Sequence, residues 1–232
     1  MTSVAKPSIV TNPAQADVRS DPFVLSAPLR IELSALGIDN RAPDFAERFF
    51  RTACDNEPYQ FEYTAQGVLI VMPPAGWESN IGENQTNAPL VMWQNENGGY
   101  ASSQDVLYQL PSGAMYMPDA AWITQERFDA LRSGEYRSTI PGAPDFVVEV
   151  RSRTDSVEAG LAKMQEWMDG GARLGWYIDP YGRRVHIYRA GREVEALQDP
   201  ETLSGEDVLA GFVFEVQRLV FDRYAELTCH GE

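Results

Sequence analysis

The sequence predicts an α/β or α+β chain built on a mixed β-sheet, and three observations carry that prediction. Period-two runs rich in Phe, Val, Ile, Trp and Tyr recur, most clearly at residues 146–151, 174–179 and 185–190. Helical spacing of apolar residues alternates with them, at residues 42–56, 78–96 and 156–170. With 232 residues, 44% of them hydrophobic, the chain can bury a full core, and one domain is the default.

Residues 1–24 mix Ala, Ser, Thr, Pro and Asp without periodicity, which predicts a flexible N-terminal arm ahead of a single domain over 25–232. Phe45, Phe49 and Phe50 put a helix over 42–56. Strands at 59–63 and 67–72 flank a turn at Ala65-Gln66-Gly67 and make a hairpin. Pro73-Pro74-Ala75-Gly76 breaks the pattern. The 78–96 helix follows, carrying Ile81, Leu90, Val91 and Trp93, with Glu78 as a first-turn acid and Pro89 as a site of bending or splitting. Strands are expected at 105–110 and 115–123, around a turn at Pro111-Ser112-Gly113. Thr124 caps a short helix over 124–132, and 133–143 is loop.

After the 146–151 strand, a helix from Ser156 to Gly170 turns Val157, Leu161, Met164 and Met168 inward and stops at Gly170-Gly171. Strands 174–179 and 185–190 join through Pro180-Tyr181-Gly182, and a further strand covers 193–197. Phe212, Phe214 and Val216 alternate within 209–219, ahead of a terminal helix or turn.

The stretch PDFVVEVRS, residues 144–152, is the most informative. Phe146, Val148 and Val150 share one face, while Asp145, Val147, Glu149 and Arg151 share the other. A central strand seldom buries a carboxylate that is neither paired nor bound to a metal. Glu149 therefore faces water, pairs with a neighbour such as Arg151, or holds a cation. Asp145 and Glu149 lie roughly 13 Å apart along one strand, too far to share a small ion. Adjacent strands are about 4.8 Å apart, so Asp119, in the second Pro-Asp segment MYMPDAAWI (115–123), is the natural partner of Glu149. Two hard oxygen ligands without nearby His or Cys point to Mg²⁺ or Mn²⁺ rather than zinc. Lys163 sits beside the buried stripe of its helix, where it either snorkels to water or turns back toward the end of the preceding strand.

Composition narrows the function classes. A net charge of −15 argues against nucleic-acid binding through a broad basic surface, while Arg151–Arg153 and Arg183–Arg184 leave room for a local basic cleft. Cys54 and Cys229 show no ligand spacing and suggest a reducing, cytoplasmic setting. With His186 and His230 alone, histidine-based catalysis has little material. No apolar run is long enough to span a membrane, and the N-terminus lacks a signal-peptide core. Trp77, Tyr100, Tyr116 and Trp122 are candidates for stacking bases, although core packing explains most of them more cheaply.

Two Pro-Asp strands, the second carrying Glu-x-Arg, resemble the PD-(D/E)xK restriction-endonuclease-like superfamily. The segments FEYTAQGVLIVMPPAG (61–76), MPDAAW (117–122), PDFVVEVRSRTD (144–155), KMQEWMDGGARLGWYIDP (163–180) and LSGEDVLAGF (203–212) more closely resemble the Uma-two family of restriction-endonuclease relatives. The resemblance covers roughly residues 45–220. It implies an α/β, restriction-endonuclease-like mixed β-sheet flanked by helices, with an added N-terminal hairpin region. It also implies Mg²⁺- or Mn²⁺-dependent hydrolysis of DNA phosphodiester bonds, with a homodimer expected.

Carried over by position, Asp119 and Glu149 would hold the metal, and Glu62 matches an acidic position ahead of the first helix. The motif lysine is replaced by Arg151, a catalytic candidate that can offset charge on the phosphate oxygens but stays protonated and cannot readily deprotonate water. A lysine on the following helix matches Lys163, expected to supply the missing charge. The alternative is a catalytically inactive nuclease-fold binding or assembly module, favoured by Arg151 and the negative charge. A structural oligomer whose carboxylates serve only as ion pairs is a third reading.

Overall fold

The computed structural model describes residues 28–74, 76–133 and 138–228, except for the side chains of residues 36, 78, 79, 133 and 228. The expected arm, the side chain of Glu78, and Cys229 and His230 lie outside the described residues. In chain order the elements are β1 (Leu29–Glu32), a 3₁₀ turn (Leu33–Leu36), α1 (Phe45–Asp55), β2 (Gln60–Tyr63), β3 (Val68–Met72) and α2 (Trp77–Asn97). There follow β4 (Tyr100–Ser103), β5 (Tyr108–Gln109), β6 (Met115–Tyr116), β7 (Ala120–Ile123), α3 (Gln125–Ser133), β8 (Ile140–Pro141) and β9 (Phe146–Val150). The chain continues through α4 (Val157–Asp169), β10 (Leu174–Asp179), β11 (Arg184–Arg189), β12 (Glu195–Gln198), β13 (Leu203–Ser204) and β14 (Val213–Phe214). A π-helical turn (Gln217–Phe221) leads into α5 (Asp222–Thr228).

These elements form two compact units. Among the described residues, one comprises those up to Pro74 together with Gln109–Tyr116, and the other comprises those from 76 to Tyr108 and from Met117 onward. The first is the N-terminal hairpin region. β2 and β3 pair antiparallel from Gln60↔Met72 to Tyr63↔Leu69, and β1 adds to the far side of β3. Gly67 closes the hairpin at φ +88°, a conformation that disfavours any residue with a Cβ. Phe45 and Phe49 of α1 pack on Tyr63, at ring-centroid distances of 5.1 and 6.2 Å.

The second unit is a six-stranded mixed sheet in the order β12-β11-β10-β9-β7-β4. β9 and β10 are parallel, joined by α4 as the crossover helix, and the other pairings are antiparallel. Parallel neighbours need such a long connection, and here it lays α4 across one face. Phe146 and Val148 point to the opposite face, as their alternation demands. There they pack with Trp122, Trp176, Ile178, Leu90 of α2 and Phe212, Phe214 and Phe221 of the C-terminal segment. Trp176 is the hub, edge-on to Phe146 at 4.7 Å and stacked against Phe212 and Phe214.

The expected strand over 115–123 is two short strands belonging to different units. Met117, Pro118 and Asp119 interrupt it, and Pro118 has no N–H to give a ladder. The strand expected over 105–110 is reduced to β5, while β4 lies earlier, where Ala101-Ser102-Ser103 lacked the bulky residues that mark strands. The 209–219 run keeps its alternation, with Phe212, Phe214 and Val216 buried and Val213 exposed, but only β14 pairs. Pro89 sits inside α2, which runs as one helix of 21 residues.

On α4, Ser156 is the N-cap, accepting the Ala159 N–H at 3.1 Å. Met164 and Trp167 are its fully buried residues; Val157, Leu161 and Met168 are half-buried. Gly160 of the same helix lies over the phenol of Tyr177, and a Cβ there would sit 2.2 Å from the ring. The Gly160→Ala variant should therefore lose about 1–3 kcal/mol, as overpacked cores do. Chemical denaturation reads this; unchanged stability would mean that the Tyr177 ring relocates without cost.

Candidate active site

The site lies at one end of the second unit's sheet, where β9 ends and β7 begins. Ala120 pairs with Val148 and Ala121 with Val147, so one further step in register sets Asp119 opposite Glu149. The side chain of Asp119 turns to the neighbouring strand, and its Oδ2 accepts the Val150 N–H at 2.6 Å. That bond to the peptide after Glu149 fixes the two acidic positions to each other.

Glu149 is 8% exposed and points to the α4 face. Lys163 and Trp167, four residues apart, share one side of α4 and grip the carboxylate together. Lys163 Nζ donates to Oε2 at 3.0 Å and Trp167 Nε1–H donates to Oε1 at 2.8 Å. Lys163 Nζ also donates to the Met117 carbonyl at 3.3 Å, just ahead of Pro118-Asp119. One ammonium thus ties the start of β7 to the carboxylate of β9. Of the two positions open to Lys163 in the sequence, it takes the one turned back to the strand.

Arg151 is committed elsewhere. Its Nη1 donates to Asp179 Oδ1 at 3.1 Å, its Nε donates to the Asp155 carbonyl at 3.0 Å, and its guanidinium lies 5.4 Å from the centre of the Tyr181 ring. Asp179 also accepts the N–H groups of Tyr181 and Gly182, which closes the β10–β11 turn. The cation that meets Glu149 is therefore Lys163. Arg151 braces the loop after β9.

Asp145, in the other Pro-Asp, does structural work at the opposite end of β9. It accepts the Thr124 N–H and an N–H of Arg127, both at 3.1 Å, fastening α3 to the sheet. Glu62 belongs to the first unit, on β2, where it is 3% exposed and paired in register with Ile70.

Glu83, on α2, was not singled out from sequence. The α2 backbone at Gly82 approaches β9 so closely that a Cβ there would be 3.2 Å from Val150 Cγ1. Ser103 pairs with Ala120, which puts Gln104 opposite Asp119 in register, and Gln104 Nε2 donates to Glu83 Oε2 at 2.5 Å. Glu83 therefore reaches the same end of the sheet as Asp119. Burial, reinforced by the nearby charge of Asp105, pushes its carboxyl up to about 7 against the opposing Gln104 bond. Its sequence surroundings, Ile81-Gly82-Glu83-Asn84, look like any helix, so nothing local marks it.

The donor set suits a hard cation. Among the described residues no group of three or more His, Cys, Asp or Glu is placed to hold a metal ion. Magnesium is commonly held by only one or two carboxylates, with water and substrate phosphates completing its shell. The Asp119–Glu149 pair fits that pattern and offers zinc no nitrogen or sulfur. Of the four aromatic residues considered for stacking, Tyr116 and Trp122 are buried, Tyr100 stacks on Phe128 at 5.1 Å, and Trp77 is 74% exposed. No helix among the described residues is long and apolar enough to cross a membrane.

Comparison with known proteins bears on this arrangement. The fold is that of a crystal structure from Anabaena variabilis described as "a putative nuclease belonging to DUF820". The match has a TM-score of 0.63 at 19% identity and covers 73% of this chain and 93% of that one. Curated proteins gave no match. A family model described as "Putative restriction endonuclease" matches residues 46–217, which include Glu62, Glu83, Asp119, Glu149, Arg151 and Lys163. That span is well over half of the 232 residues, and the chain belongs to the Uma-two family.

Proposed function

We propose that this protein is a metal-dependent endonuclease that hydrolyses DNA phosphodiester bonds at the Asp119–Glu149 end of the sheet. The observation that carries the reading is the buried Glu149, held by Lys163 and Trp167 beside Asp119. A carboxylate placed in mid-sheet is costly unless it is used or fully paired. Here Lys163 and Trp167 both donate hydrogen bonds to it, one to each oxygen. Family membership and the fold of the Anabaena protein support a nuclease.

In this reading Asp119 and Glu149 hold Mg²⁺ or Mn²⁺, with Glu83 as a further acid at that end of the sheet. The cation would polarise the scissile phosphate and lower the pKa of a water molecule. Lys163 carries the positive charge that the usual motif places two residues after the acid, and it offsets charge building on the phosphate oxygens. Arg151 keeps the β9–α4 loop in place through Asp179 and the Asp155 carbonyl. A homodimer and a cytoplasmic setting complete the proposal.

Supercoiled plasmid incubated with Mn²⁺ or Mg²⁺ tests it. Wild type should nick or linearise the plasmid, and Asp119→Asn and Glu149→Gln should each lower the rate by about 10²-fold or more. Equal behaviour of wild type and both variants would remove these carboxylates from any chemistry. It would favour the inactive binding or assembly module, which Arg151 and the charge of −15 also suit.

A further inference from the structure

We infer that Trp167 is a positioning residue for the metal site, acting through its indole N–H on Glu149. This rests on the proposed function and extends it to a residue that does not itself touch metal or substrate. Trp167 is completely buried on α4, and its single polar atom is spent on Glu149 Oε1 at 2.8 Å. A tryptophan N–H can donate and cannot accept, so the contact is satisfied only when Oε1 is an acceptor. Lys163 imposes the same demand on Oε2 from one turn away on the same helix. With both oxygens held by donors on one rigid element, rotation of the carboxylate about its terminal bond is blocked.

The indole is itself fixed. Tyr108 packs edge-on against it at 5.8 Å, and the Tyr108 hydroxyl shares a 2.8 Å hydrogen bond with Ser102 Oγ on β4. Ser102 in turn pairs with Ala121 of β7, two residues after Asp119. A chain of contacts thus runs from β7, which starts just after Asp119, through Ser102, Tyr108 and Trp167 to Glu149. It sets the orientation of the second acid from the backbone of the first. A Phe at 167 would fill much of the same space and pack against Tyr108, yet would leave the carboxylate free to turn. The presence of a donor is therefore the feature that packing alone does not require.

The test compares Mn²⁺ binding, by calorimetry, for wild type, Trp167→Phe, Trp167→His and Glu149→Gln. Loss of a hydrogen bond that orients a metal ligand typically weakens metal binding by about 10–100-fold, and that is the loss expected for Trp167→Phe. Its plasmid cutting should recover at saturating Mn²⁺, which a misfolded site would not do. Trp167→His keeps an N–H but less volume, so it should bind Mn²⁺ more tightly than Trp167→Phe. A filler role predicts the reverse order.

Should either variant fail to fold, the indole N–H signals of wild type serve instead. One of the five tryptophan signals should move on adding Mg²⁺ and stay fixed in Glu149→Gln. Tight Mn²⁺ binding by wild type and by Trp167→Phe alike, or indole signals that ignore Mg²⁺ bound at Glu149, overturns the role of Trp167 alone. Wild type that binds no Mn²⁺ through Glu149 overturns the role and the metal site together.

Discussion

Lys163→Met should cost both activity and stability, and by more than any other single change on α4. Removing the Lys163 ammonium takes away the charge expected at the phosphate, a loss of about 10²–10³-fold in rate for a preorganised donor. It also takes a charged partner from a carboxylate that is only 8% exposed. Breaking one side of a buried ion pair destabilises by about 3–5 kcal/mol. The Lys163 side chain is 19% exposed, so water can partly replace it and the lower end of that range applies.

Two further variants separate the effects. Replacing both partners, as in Lys163→Met with Glu149→Leu, should recover most of the stability and none of the activity, since an apolar pair has no stranded charge. Lys163→Arg retains charge but not the compact ammonium that reaches both Glu149 and the Met117 carbonyl, and intermediate rates are expected. Cleavage that survives in Lys163→Ala while vanishing in Glu149→Ala would defeat the idea that this lysine stands in for the motif residue.

How far the site was legible before folding depended on whether the signal was periodic or spatial. The alternation in 146–151 placed Phe146 and Val148 in the core and Glu149 on the other face, because a strand leaves a side chain only two choices. Spacing along β9 likewise separated Asp145 from Glu149, and the two do sit at opposite ends of the strand. Trp167 was hidden for a geometrical reason. Val157, Leu161, Met164 and Met168 already made an apolar stripe, and an indole beside it looks like more core until its N–H finds an acceptor.

Glu83 was hidden for a different one. Its role depends on Gly82 letting α2 approach Val150 and on Gln104 arriving from β4, contacts about 20 to 70 residues apart that no window of sequence contains. The strand at 100–103 was missed because its small residues are tolerated under α2 rather than preferred in strands.

Glu83→Gln should stabilise the protein at pH 8 and leave it unchanged near pH 4. The carboxyl is raised from 4.5 to about 7, chiefly by burial and then by Asp105. The folded state therefore binds this proton more tightly than the unfolded state does. Below pH 4.5 both states carry the proton and the site adds no pH dependence. Between pH 4.5 and about 7 the unfolded chain releases it first, so stability falls as pH rises, and above about 7 the loss is complete.

Each pKa unit corresponds to about 1.4 kcal/mol, and partial exposure of Glu83 reduces the total to about 1–2 kcal/mol. Glutamine has no proton to lose in this range and can still accept from Gln104. Urea denaturation at pH 4, 6 and 8 reads the difference directly; parallel curves for wild type and variant would show that Glu83 ionises as an ordinary surface acid. Adding Mg²⁺ to the same series carries the argument to the metal site. A cation that binds the folded state beside Glu83 favours its ionised form and offsets the penalty. Mg²⁺ should then stabilise wild type more than Glu83→Gln at pH 8, whereas equal stabilisation of the two would place this carboxyl outside the cation's reach.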